Sequence, residues 1–201
     1  MSVEKFRVSV HRHYYRIAVE QRRVYSELDA AMSKWKTGSG GEGNAALEKQ
    51  QEHYEKREQA AVIGITFAAM CLEAFFYDYA ASNLGDGFTE EHLDKLDLPS
   101  KLLIVPQLVS GKAIDKSSHI FEKVKRLTRD RNYLVHFKSR GFDLHEMQKA
   151  SEFHNELNER FGQALTNGVE TVEVVLKALD DLTGTSGQYF NRVCQCDEPG
   201  T

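Results

Sequence analysis

The chain has 201 residues, 41% of them hydrophobic and 28% charged, with a net charge of −4 when histidines count as neutral. That composition supports a domain with a real core and excludes the low-hydrophobicity signature of disorder. The acidic balance excludes a global basic field that would gather phosphates non-specifically, so any RNA contact has to be local.

The first helix is expected from about Glu4 to Trp35, where Phe6, Val10, Ile17, Val24, Leu28, Met32 and Trp35 recur at helical intervals. Four glycines between Thr37 and Asn44 then make a flexible connection, with Asn44 suited to cap the next helix. A second helix is expected from about Ala45 to Leu84. Its first half is charged, and its second half, AAVIGITFAAMCLEAFFYDYAA, is apolar on nearly all sides. Gly85 and Gly87 stop it. Thr89 to Val109 reads as one or two short helices around Pro99. A fourth long element is expected from about Ser118 to Phe137, and a last helix from about Leu144 to Leu182, with Gly162 and Gly168 as candidate kinks.

No segment alternates with a period of two, so the fold class is all-α: an antiparallel up-and-down bundle of four to five main helices. The expected organisation is an N-terminal helix over 1–36 packed on the bundle, a glycine-rich linker over 37–44, the bundle over 45–182 and an irregular tail over 183–201.

Three cysteines, Cys71, Cys194 and Cys196, do not make a secreted disulfide framework, and Cys71 is expected to be a buried thiol. The N-terminus MSVEKFRVSVHRHYYR lacks an apolar targeting core. The longest apolar run, Ala60 to Leu72, is too short to cross a bilayer. A cytoplasmic protein without a membrane partner is the expectation.

The fourth element carries the chemistry. Lys123, Lys125, Arg126, Arg129, Arg131, Lys138 and Arg140 crowd one stretch. On a wheel of about 100° per residue, Ile120, Phe121, Val124, Leu127, Leu134 and Val135 share one arc, and Arg131 falls within it. An arginine in an apolar stripe has to be paired or reach a cleft. His136 and Asn132 point about 100–140° away from Arg131. On the second helix, Glu73 lies among apolar residues and needs a cation, which makes a Glu73–Arg131 ion pair the natural expectation. Arg131 is therefore either a structural pin to Glu73 or a clamp for phosphate. His136 is either an acid–base group or an ordinary surface or capping residue.

The succession LEAFFYDYAASNL, LDLPSKLLIVPQLVSGK and FEKVKRLTRDRNYLVHFKSR, with Arg131-Asn132 followed by Leu134-Val135-His136, resembles the HEPN superfamily and its R-x4-H motif, over roughly 60–182. The resemblance implies a four- or five-helix bundle that dimerises so that two motifs face one cleft. It implies metal-independent cleavage of RNA, in which the 2′-hydroxyl attacks the adjacent phosphate and leaves a 2′,3′-cyclic phosphate. Carried over, His136 is the general acid/base, Arg131 the phosphate clamp, and Asn132 orients His136 or the phosphate. Arg129 and Lys138 would bind substrate, with Glu73 in support. No metal or other cofactor is required. The setting would be defence, toxin–antitoxin or RNA processing, with a protein antitoxin or regulator as a possible partner. Antitoxin-paired members carry a tyrosine two residues after the histidine, where this chain has Lys138, which puts tyrosine modification in doubt. The alternative is a non-catalytic HEPN dimer that binds RNA, a nucleotide or a protein.

Other patterns are weaker. His11 and His13 with Cys194 and Cys196 lack zinc spacing, and both histidines read as helix-surface residues. The glycine-rich stretch follows a helix and lacks a Gly-Lys-Ser/Thr ending, so it is no phosphate cradle. Tyr14, Tyr15, Tyr25 and Trp35 read as core or interface residues.

Overall fold

The computed structural model describes residues 7–36 and 44–195, and these are helical without strands. The helices are α1 (His11–Lys36), α2 (Asn44–Leu84), α3 (Asp86–Phe88), α4 (Leu98–Ser110), α5 (His119–Val135), α6 (Met147–Thr183) and α7 (Gln188–Cys194), with a π-helical turn at Thr89–Leu93 and a 3-10 turn at Leu144–Glu146. The linker expected over 37–44 falls almost wholly outside the described residues, as do Cys196 and the tail beyond it.

The apolar half of α2 is the centre of the molecule. Ile65, Leu72 and Phe76 are fully buried, each worth about 1.5–3 kcal/mol relative to exposure. The Cys71 thiol is free and buried, as expected, and burial pushes its pKa up. By length and composition α2 could cross a bilayer, with mean hydropathy 1.8 in its most apolar window, yet 56% of that window is buried inside the protein. Its neighbours are α1, α6, α4 and α5.

The contacts fix the helix directions. Arg57 of α2 bonds Asp29 of α1 at 2.6 Å, and His11 near the start of α1 meets Asp78 near the end of α2 at 3.3 Å, so α1 and α2 are antiparallel. Glu58 meets His154 of α6, and Gly64 lies against Leu165, so α2 and α6 run the same way. Lys123 of α5 meets Glu170 of α6, and Asp130 meets Arg160, so α5 and α6 are antiparallel.

Two glycines serve close approach. A Cβ on Gly64 would sit 2.2 Å from Leu165 Cδ1, and one on Gly162 would sit 2.5 Å from the Tyr25 hydroxyl. Neither Gly162 nor Gly168 interrupts α6, which is continuous from Met147 to Thr183. Both sit where a neighbouring helix presses in, because Gly168 meets Leu127 and Ala68.

Three expectations are corrected. First, α1 begins at His11 rather than near Glu4. Residues 7–10 are not helical, Glu4 lies outside the described residues, and Arg7 is ion-paired with Asp86 beyond the end of α2. Second, His11 is not a surface residue. It is 2% exposed, its ring edge-on to Phe75 and its Nδ1 near both Ser9 Oγ and the Asp78 carboxylate. Third, the tail is not irregular from Thr183. Asp180 is buried and accepts from the Thr185 hydroxyl at 2.6 Å, the Tyr189 N–H at 2.8 Å and the Phe190 N–H at 2.9 Å. Those bonds start α7, whose Val193 enters the core.

Replacing Asp180 by alanine should therefore detach α7 and lower unfolding free energy by about 2–3 kcal/mol in urea titration, since charge-assisted bonds are the stronger kind. His11 sets a pH dependence. Burial holds its pKa below the ordinary value, against the opposing pull of Asp78, with Arg192 adding to the depression. The unfolded chain takes up this proton first, so stability is full above about pH 6.5 and is lost as pH falls from there through the depressed folded value. Denaturation midpoints across that window should fall in the wild type, with a shallower slope in His11→Gln.

Candidate functional site at the end of α5

Ser118 caps α5, its hydroxyl accepting from the Phe121 N–H. Phe121, Val124 and Leu127 are buried, and the stripe then runs out of the bundle. Leu134 is half-buried, and Val135 is 60% exposed. Arg131 is accordingly half-buried rather than enclosed. The helix ends at Val135, and His136 is its C-terminal cap, with φ −108° and its N–H donating to the Asn132 carbonyl at 3.0 Å. The motif thus occupies the last turn and its cap, not an unbroken helix through Phe137.

Two residues between and beside the motif residues hold this end to α6. Asp130 is largely buried between Arg126 at 3.9 Å and Arg160 at 3.7 Å. The Arg160 guanidinium lies 3.6 Å from the centre of the Tyr133 ring, which also meets Phe161 and Phe137 edge-on. With 130 and 133 committed to α6, Asn132 and His136 are left exposed to solvent. Sequence reasoning missed Asp130, Tyr133 and Arg160. The signal was the i,i+3 spacing of Asp130 and Tyr133, legible only once an arginine on a facing helix is known.

Arg131 Nη1 donates to Asn132 Oδ1 at 3.1 Å, so the guanidinium and the amide form one polar unit. The expected Glu73–Arg131 ion pair is not formed: among the described residues neither side chain has an ion-pair partner. The physical reason is level along the bundle. Leu127 of α5 and Ala68 of α2 both meet Gly168. Arg131 lies four residues beyond that level one way, and Glu73 five residues the other way. At 1.5 Å per residue the two are offset by about 13 Å along the axis.

Arg129 and Lys138 are exposed and form no ion pair among the described residues, so with Arg131 they leave net positive charge at this end of an acidic protein. Arg140 instead covers the rings of Phe142 and Phe153, at 5.4 and 5.6 Å. Phe137 is 40% exposed and Met147 66% exposed in the neighbouring segment, which adds apolar surface to the charge. Two large clefts lie elsewhere. One of about 740 Å³ is lined by α1 residues and Cys194, and one of about 800 Å³ by residues of α1, α2 and α6. Among the described residues no group of three His, Cys, Asp or Glu is placed to hold a metal; Cys196 lies outside them.

No family model, curated protein or solved structure matches this chain.

Tyr133 is the anchor of the motif's geometry. Tyr133→Ala should lower stability by about 1–3 kcal/mol. It should also speed amide hydrogen exchange at His136 and Phe137, whose N–H groups bond to Asn132 and Leu134. Unchanged exchange at those two amides would show that α5 ends where it does without α6.

Proposed function

We propose that this chain is a HEPN-type protein whose helices form an up-and-down bundle, and that it acts as a metal-independent endoribonuclease in a defence, toxin–antitoxin or RNA-processing setting in the cytoplasm. The observation that carries the reading is the polar unit of Arg131 and Asn132 one turn from an exposed His136, beside Arg129 and Lys138. An imidazole can exchange protons near neutral pH, and a guanidinium presents a planar fork to phosphate oxygens. In this scheme His136 takes the proton of the ribose 2′-hydroxyl or delivers one to the leaving 5′-oxygen. The 2′-oxygen forms a bond to phosphorus, the bond to the 5′-oxygen breaks, and a 2′,3′-cyclic phosphate remains. Arg131 stabilises the charge that develops on the phosphoryl oxygens. Arg129 and Lys138 hold neighbouring phosphates.

The open position of His136 requires a second wall. A second copy of the chain, bringing its own motif across a two-fold axis, would supply it and would cover Val135, Phe137 and Met147. The same apolar exposure favours one other reading, a non-catalytic HEPN dimer in which this end docks RNA, a nucleotide or a protein regulator. Glu73 has no role in either scheme, given its level in the bundle.

Incubation with RNA in excess chelator separates the two. Wild type should cleave and leave cyclic phosphate ends, with the rate falling by about 100-fold or more in His136→Ala and in Arg131→Ala. Equal cleavage by all three proteins would mean a contaminating nuclease and would overturn the enzymatic reading.

A further inference from the structure

α2 is not covered on every side. Only 56% of its most apolar window is buried. The remainder gathers on an outer face, where Val62 is exposed and Ile63, Thr66, Met70, Ala74 and Tyr77 are half-buried. On a wheel of about 100° per residue this face lies across the helix from Gly64 and Ala68, the residues that approach α6. From Val62 to Tyr77 it runs about 22 Å. α4 borders it, since Lys101 and Val105 share a small recess with Tyr77, and α4 leaves Ile104 and Leu108 exposed.

One carboxylate stands in this face. Glu73 is half-buried and has no hydrogen bond or ion pair among the described residues. Arg131 is half-buried too, and its guanidinium meets only the neutral Asn132 amide. A charge drawn partly out of water without a countercharge is unfavourable, and this chain holds two of opposite sign. They lie on opposite sides of the level where Ala68 and Leu127 flank Gly168, Glu73 five residues beyond Ala68 and Arg131 four beyond Leu127. Nearly equal distances on opposite sides are what a two-fold axis exchanges. An axis across the outer face at the level of residues 68–69 runs the two copies of α2 antiparallel. It carries each Glu73 to the level of residue 64, which is the level of the partner's Arg131. The apolar residues call for the same axis. The midpoint of Thr66 and Met70 is residue 68, and that of Ile63 and Ala74 falls between 68 and 69. Arg131 is also on the accessible side of α5. Asp130 and Tyr133 turn toward Arg160 and Phe161 of α6, and Arg131 is about 100° round from Asp130, on the side opposite Tyr133.

We infer that a second copy of this chain docks on the outer face of α2, with Glu73 of each protomer paired to the partner's Arg131. The inference rests on the nuclease reading only for the expectation of a second copy, and it names the face that copy takes. Glu73 is idle within one chain. Across the axis it steadies the guanidinium, whose remaining N–H groups stay open to phosphate.

Sedimentation velocity of the full chain across a range of protein concentrations tests it. Wild type should be a dimer. Glu73→Arg and Arg131→Glu should each weaken dimerisation by about tenfold or more at unchanged helix content, since neither side chain has an opposite charge to lose within its own chain. The exchanged pair Glu73→Arg/Arg131→Glu should bring dimerisation back to within about threefold of wild type. A second measurement needs no charge reversal. In Arg131→Lys, a carbodiimide should couple Glu73 to the new side-chain amine between chains, giving a covalent dimer whose cross-linked peptide joins positions 73 and 131. A dimer that the single reversals leave intact, a folded exchanged pair that stays monomeric, or a dimer without that cross-link would each overturn the inference. Those results leave the nuclease reading standing, because RNA cleavage is measured separately. A wild type that is monomeric throughout would overturn the inference together with the second wall proposed for His136.

Discussion

The apolar half of α2, with Ile65, Leu72 and Phe76 fully buried, organises the helices around it. A helix that is apolar on most sides has to be covered on most sides. α1 and α6 cover it along its length, and α4 and α5 do so over the part nearer its C-terminal end. Gly64 lets the side chain of Leu165 settle against the α2 backbone, and Gly162 admits the Tyr25 ring between α1 and α6. Polar and charged groups are thereby driven to the margins, where a covering helix outruns its neighbour.

Two such margins differ in charge. At the end of α5 the apolar stripe leaves the core, so Arg131 is half-buried and His136 is exposed. Positive charge is unmatched there, and the polar groups contact one another. In the cleft between α1 and α6 the charge is net negative, and Asn158 is enclosed, its backbone carbonyl accepting from the Tyr25 hydroxyl. Under the proposed function the first margin would meet a phosphate chain that lies across a surface. Neither resembles a metal site, and each is defined by residues on at least two helices.

Much of the fold was legible because helix periodicity and glycine punctuation are local signals. The start of α2 and the stop at Gly85 both follow from them. What was not legible depended on partners far away in sequence. His11 is polar and near the N-terminus, so it reads as surface until Phe75 and Asp78 are seen to enclose it. α7 is short and weakly periodic, and forms because a buried aspartate eight residues upstream gathers its first amides. The Glu73–Arg131 pairing failed because a wheel gives the angle around a helix but not the level along a neighbouring one. The motif itself was visible as residue types at a spacing. Its setting was not, since that depends on Asp130 and Tyr133 engaging Arg160 across the α5–α6 interface.

We propose that the end of α5 is the face that meets RNA. A titration of ¹⁵N-labelled protein with a 2′-O-methyl RNA oligonucleotide tests it directly, because blocking the 2′-oxygen prevents cleavage while leaving the phosphates in place. Saturable, salt-sensitive shifts centred on residues 129–138 are expected, and they should be lost on Arg131→Ala. Shifts confined to another face, or none at low salt, would contradict it.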